Sequence, residues 1–179
     1  MPYLARVLAV IGLASLTAGC FQPMYGDAKV TNSPGLRDKL SAVDVRPIDA
    51  PNGTRLARVG SVVRDVLIFN LTGGGPAATT GYRLDIKLTS SQVQVIVDIN
   101  TARPDIQNYG IDAIYTLTDV GTGKPVVSGQ TFSRVSYNIP GQQQRFAGDR
   151  GLRDAEDRAA QVIADNIRSR LASYFVAGS

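Results

Sequence analysis

The sequence predicts an α+β domain: a two-layer sandwich in which a mainly antiparallel sheet of about four strands carries two helices on one face. Three observations lead there. Two long segments space their apolar residues by threes and fours, as one face of a helix requires. Between them lie several runs in which apolar and polar residues alternate, the period of a half-buried strand. The composition is that of an ordinary globular chain: of 179 residues, 44% are apolar and 19% charged, which excludes collagen-like, coiled-coil and wholly disordered classes. Neither a strand meander nor a lone amphipathic helix buries its apolar face by itself, so both helices are expected on the same side of the sheet.

The first element is a targeting segment, residues 1–19. Arg6 and the amino terminus give it a positive end, and Val7 to Leu16 is apolar or small. That is the length of a signal-peptide core and too short to span a bilayer. Leu16-Thr17-Ala18-Gly19-Cys20 follows, and Cys20 is the single cysteine of the chain. Its position resembles a bacterial lipobox, in which the thiol is acylated and becomes the new N-terminus; Thr17 stands where Leu is usual. Phe21 follows, where Asp would argue for inner-membrane retention, so delivery to the outer membrane is expected. One acyl chain anchors marginally and several anchor stably.

Residues 20–41 read as a lipidated tether, with Pro23, Gly26, Asn32, Ser33, Pro34 and Gly35 as turn formers. The domain proper is placed at 42–179. Val43 and Val45 alternate with Asp44 and Arg46 in a short edge strand closed by Pro47. Asn52-Gly53-Thr54 supplies a helix cap, and Leu56, Val59, Val63, Val66, Leu67 and Leu71 share one face of a helix from about Thr54 to Leu71. Gly73-Gly74-Gly75-Pro76 ends it.

Tyr82, Leu84, Ile86 and Leu88 alternate with Arg83, Asp85, Lys87 and Thr89 in the clearest strand. The apolar set then changes parity to Val93, Val95, Val97 and Ile99. A bulge at Ser90-Ser91 within one long strand is expected, because those residues make a poor tight turn. Thr101 to Asn108, with Arg103-Pro104-Asp105, reads as a loop. Ile111, Ala113, Tyr115 and Leu117 form the next strand, Asp119 to Pro125 its hairpin turn, and Val126 to Tyr137 the return strand. After a polar loop at residues 140–144, Leu152, Ala155, Ala159, Val162, Ile163, Ile167, Leu171, Tyr174 and Phe175 recur at helical spacing. Arg153, Asp154, Asp157, Arg158, Asp165 and Arg168 form a solvated opposite face. Val63, Val66, Leu67, Val162, Ile163 and Ile167 are the expected helix–sheet core.

Little points to catalysis. There is no histidine, which removes imidazole acid–base chemistry and Ser-His-Asp triads, and one cysteine cannot build a disulfide framework or zinc module. The Asp119–Pro125 segment only glances at a phosphate-binding loop: Thr118 occupies the first glycine position and Pro125 replaces the hydroxyl residue. No enzyme and no cofactor are expected. The net charge of +4 fits an anionic partner without requiring one. Arg83, Lys87, Arg103, Lys124, Arg134 and Arg145 are placed on exposed strand positions or loops, as solubilising charge or contacts to phosphates. Aromatic interleaving of an RNA-binding type is missing, so no nucleic-acid partner is expected.

Cys20-Phe21-Gln22-Pro23-Met24-Tyr25-Gly26 resembles the segment after the lipidated cysteine in alphaproteobacterial LPS-assembly lipoproteins, the LptE-like family, with Met24 where Leu is common. Arg158-Ala159-Ala160, Ala164-Asp165-Asn166-Ile167 and Leu171-Ala172-Ser173-Tyr174-Phe175 are similar to that family's terminal helix. The resemblance implies a non-enzymatic outer-membrane subunit of the lipopolysaccharide translocon. Such a subunit assists assembly of, and plugs, a large β-barrel LPS-assembly protein, and it binds lipopolysaccharide. A second possibility is an auxiliary lipoprotein of another envelope lipid-transport system. Arg103 and Lys124, beside Pro104 and Gly123, are the candidate anionic contacts, on a partner-facing surface expected far from the tether.

Overall fold

A computed structural model describes residues 35–75, 79–98, 103–139 and 145–177. The chain forms a two-layer α+β sandwich: a four-stranded sheet in the order β1-β2-β3-β4, with the long helices together on one face. The elements are α1 (Leu36–Ser41), β1 (Val43–Val45), α2 (Arg55–Thr72), β2 (Tyr82–Asp98), β3 (Arg103–Asp119), β4 (Pro125–Asn138) and α3 (Arg145–Ala177). β1 lies parallel to β2, Val43 opposite Tyr82, so α2 is the crossover between them; β2, β3 and β4 form an antiparallel meander.

The stretch read as a tether ends in structure. In α1 the Asp38 carboxylate accepts from the Gly35 amide, and Leu40 is buried in the core. Lys39 Nζ donates to the Phe175 carbonyl, tying α1 to the end of α3.

Helix α2 starts where its capping residue dictates: Thr54 Oγ1 accepts from the Ala57 amide at 3.2 Å. It ends at Gly73, whose φ of +77° is the left-handed conformation that suits glycine and whose amide donates to the Phe69 carbonyl at 2.9 Å. Val59, Gly60, Val63, Leu67 and Leu71 are its buried stripe. Helix α3 has 33 residues, a rod about 50 Å long. Its buried stripe is rich in alanine: Leu152, Ala155, Ala159, Ala160, Ile163, Ala164, Ile167, Leu171 and Phe175. Small side chains let so long a helix lie close on β3 and β4. Val66 is half-buried, and Val162 lies off the stripe at 42% exposed, so the expected core residue there is Ile163 alone.

β2 is one strand, as expected, but its irregularity is not at Ser90-Ser91. Pairing with β3 holds from Tyr82↔Asp119 to Gln94↔Gln107 and shifts only around Ile96. The parity change therefore marks a change of face. Leu84, Ile86 and Leu88 point into the core, whereas Val93 and Val95 are 58% and 51% exposed on the other side. The physical reason is where α2 begins: a β-carbon on Gly60 would sit 4.0 Å from Leu88 Cδ1. Beyond Leu88 the strand outruns that helix, so neither face is selected for burial. The loop read at Thr101 to Asn108 is also corrected: Arg103–Asn108 is the first part of β3, with Asp98 opposite Arg103 and Val97 opposite Pro104. Proline fits there because the ladder is already irregular one step away. The hairpin at Asp119–Pro125 forms as expected. Asp119 Oδ1 accepts from the Thr122 amide at 2.8 Å, the Gly123 amide donates to the Asp119 carbonyl at 2.9 Å, and Gly123 has φ +67°.

Candidate functional site

The fold has two ends. At the near end lie α1, the β3–β4 hairpin and the last turn of α3. Ala42 O accepts from the amides of Gly81 and Tyr82, the Val120 amide donates to Gly81 O, and Tyr82 packs on Phe175 with ring centroids 5.0 Å apart. At the far end lie the β2–β3 hairpin and the first turns of α2 and α3.

Cys20 lies outside the described residues. Arg103 opens β3 at the far end, and Lys124 is in the hairpin at the near end. The 17 residues of β3 hold them roughly 50 Å apart. The two do not form the single surface expected of them, and Lys124 lies at the same end of the sheet as α1.

The open sheet face is polar over Arg83, Asp85, Lys87, Thr116 and Thr118 and becomes apolar at Ile114 and Phe132, 60% and 67% exposed. Arg134 crosses this face. Its Nη2 donates to both Asp112 carboxylate oxygens at 2.8 and 2.9 Å, and its Nη1 to the Ile111 and Ser133 carbonyls. Its guanidinium carbon lies 5.5 Å from the Phe132 ring centroid, a cation–π distance. It can lie so flat because residue 110 is glycine: a β-carbon there would come within 2.8 Å of Arg134 Cδ. With those donors engaged, Arg134 is a clamp across β3 and β4.

On the helix side of the far end, the N-terminus of α2 and the first turns of α3 enclose a cleft of about 560 Å³. Glu156 lines it and is 2% exposed. Its Oε2 receives Arg58 Nη2, while Arg58 Nη1 donates to Asp157 at 3.0 Å. Glu156 Oε1 is buried with no hydrogen-bond partner among the described residues. Arg55 and Arg153, both exposed, line the same cleft with Asp149 at its rim. Under the β2–β3 hairpin, Tyr137 Oη donates to Gln107 Oε1 at 2.5 Å and Gln92 Nε2 approaches that hydroxyl at 3.4 Å. Burial raises the phenol pKa of Tyr109 above its ordinary value, and the Arg58 and Arg55 guanidiniums partly oppose it. Burial likewise raises Tyr137, Tyr115 and Tyr82. These phenols are neutral donors at physiological pH.

Neither Glu156 nor the cleft was among the residues singled out from sequence. A signal was present: Glu156 stands four residues after Leu152 and four before Ala160, on the apolar stripe of the terminal helix. A carboxylate in that register must find a cation.

A family model described as LptE, lipopolysaccharide-assembly, matches residues 40–171. A comparison with curated protein sequences finds no match. Among solved structures, the fold is shared with a candidate lipoprotein of Caulobacter crescentus CB15, at TM-score 0.62 and 20% identity over 80% of this chain and 97% of that one. It is also shared with a minor lipoprotein of Acinetobacter baumannii, at TM-score 0.55 and 10% identity over 73% and 90% of the two chains. Rare lipoprotein B of Shewanella oneidensis matches at TM-score 0.53 and 14% identity over 75% and 96%. At these identities the likeness is one of fold.

Proposed function

Because the chain belongs to the LptE lipopolysaccharide-assembly family, we propose that it is an outer-membrane subunit of the lipopolysaccharide translocon, anchored by acyl chains on Cys20 once residues 1–19 are removed. It assists assembly of a β-barrel partner, occupies that barrel's lumen and binds lipopolysaccharide. The observation that carries this reading is the family match, which runs from α1 into the last turns of α3 and so spans the whole sandwich. Its family is one of lipoproteins without catalytic activity. A two-layer wedge with charged residues on its open sheet face suits a barrel interior, which is itself polar. Residues 21–34 reach up to about 50 Å at full extension, enough to let a membrane-anchored domain settle within such a lumen.

Arg103 and Lys124 serve here as separate anionic contacts, one at each end of the sheet. Phosphates on lipopolysaccharide are bridged by cations, and basic side chains compete for those phosphates. The test is lipopolysaccharide binding by the full chain as salt rises. Wild-type binding is expected to weaken with salt, as screening demands. Arg103→Glu combined with Lys124→Glu is expected to bind more weakly still while melting near wild type. Unchanged binding by the folded double variant would return both residues to ordinary surface charge.

A further inference from the structure

The geometry points to the far-end cleft as a binding site for a phosphorylated sugar that also carries an amino or hydroxyl donor. The argument starts from a buried group. Glu156 is 2% exposed, and only one of its carboxylate oxygens is engaged, by Arg58. The other, Oε1, is buried without a donor, on a residue that lines the cleft. A buried carboxyl oxygen so placed is costly unless it is hydrogen-bonded. A bound ammonium or hydroxyl would do so.

The rest of the lining supplies the opposite requirement. Arg58 is committed to Glu156 and Asp157, whereas Arg55 and Arg153 make no ion pair among the described residues. Arg55 opens α2, and the first-turn amides of a helix lack partners within it. The Ala57 amide is taken by Thr54 Oγ1, which leaves those of Arg55 and Leu56, and two guanidiniums beside them favour a phosphate. Asp149 at the rim works against a bare anion of high charge and favours a ligand bearing both a phosphate and a donor. A cleft of about 560 Å³ is of the size that holds one or two sugar rings. At the same end of the sheet Gln92, Gln107 and Tyr137 are hydrogen-bonded to one another.

This inference deepens the lipopolysaccharide reading by giving the headgroup a place, but the same chemistry would also hold a free sugar phosphate. The experiment titrates the full chain with glucosamine 6-phosphate, inorganic phosphate and glucosamine, and separately with lipopolysaccharide. Glucosamine 6-phosphate is expected to bind more tightly than either single-function control. Arg153→Ser should weaken it at least about tenfold, the loss of a charge-assisted bond, without changing the melting temperature. Glu156→Gln should weaken it too. Since that variant disturbs the Arg58 pair, Arg55→Ser gives a second reading that leaves the pair intact. Phosphate binding as tightly as the amino sugar phosphate would overturn the role of Glu156. Binding insensitive to both arginine changes would overturn the site. If glucosamine 6-phosphate competes with lipopolysaccharide, the ligand is the lipid headgroup. Should the sugar phosphate bind and lipopolysaccharide not, the site stands with a free ligand and the function proposed above falls. Lipopolysaccharide binding indifferent to Arg153→Ser and to competitor would leave that function standing and remove the site.

Discussion

Glu156 and Arg58 form a partly buried ion pair between α2 and α3. A buried carboxylate is tolerated because Arg58, 39% exposed, reaches it from the neighbouring helix. Removing one partner of a buried pair costs more than the pair contributes, since the remaining charge stays desolvated. Arg58→Leu is therefore expected to destabilise by about 2–4 kcal/mol, at the lower end because Arg58 itself is partly solvated. Arg58→Leu with Glu156→Leu should recover most of that loss in denaturant unfolding. Equal stability of the single and double variants would show that Glu156 is not held by this contact. From sequence, Glu156 was hidden among Asp154, Asp157 and Arg158, where one more charge reads as solvated surface. Its position on the apolar stripe was the distinguishing mark.

At the scale of elements, helical periodicity located α2 and α3, and the Thr54 cap and Gly73 stop placed the ends of α2 within a residue. It could not decide between Val162 and Ile163, adjacent apolar residues of which only one can face inward. The sheet decides: Ile163 is fully buried and Val162 is not. Ile163→Asp should cost several kcal/mol through an unpaired buried carboxylate, and Val162→Asp under about 1 kcal/mol, measured by thermal melting. Comparable losses would mean that α3 is rotated from this placement. The β2–β3 hairpin was less legible for a different reason. Strand alternation reports burial, and past Leu88 the β2 residues up to Val95 are exposed on both faces, so Val93 and Val95 changed parity without any change in the backbone. Arg103-Pro104-Asp105 looked like a loop because turn formers were read locally, while partner-strand pairing and a nearby bulge kept them in β3.

At the scale of the molecule, folding raises the pKa of Tyr82, Tyr109, Tyr115 and Tyr137, in each case chiefly by burial. A phenol is neutral when protonated, so the folded state keeps protons that the unfolded state releases above about pH 10. Stability from these groups is complete below that pH and falls as pH rises through it. The unfolding midpoint in denaturant is expected to hold steady from pH 7 to about pH 9.5 and then decline as phenolate absorbance appears. A midpoint indifferent to alkali up to the ionisation of all tyrosines would contradict their burial.

The fold class and the family were both legible before the structure, the first from periodicity and the second from Phe21-Gln22-Pro23-Met24-Tyr25-Gly26 after Cys20. The far-end cleft was not, because it is assembled from residues about a hundred positions apart. What remains most open to test is the central proposal, an acylated translocon subunit held by a β-barrel. The direct measurement is intact-mass spectrometry of the complex captured from membranes in mild detergent through the full chain. The expected result is an outer-membrane β-barrel LPS-assembly protein together with this chain beginning at Cys20 and heavier than residues 20–179 by its lipid groups. A different lipid-transport complex, or an unacylated chain recovered alone, would contradict it.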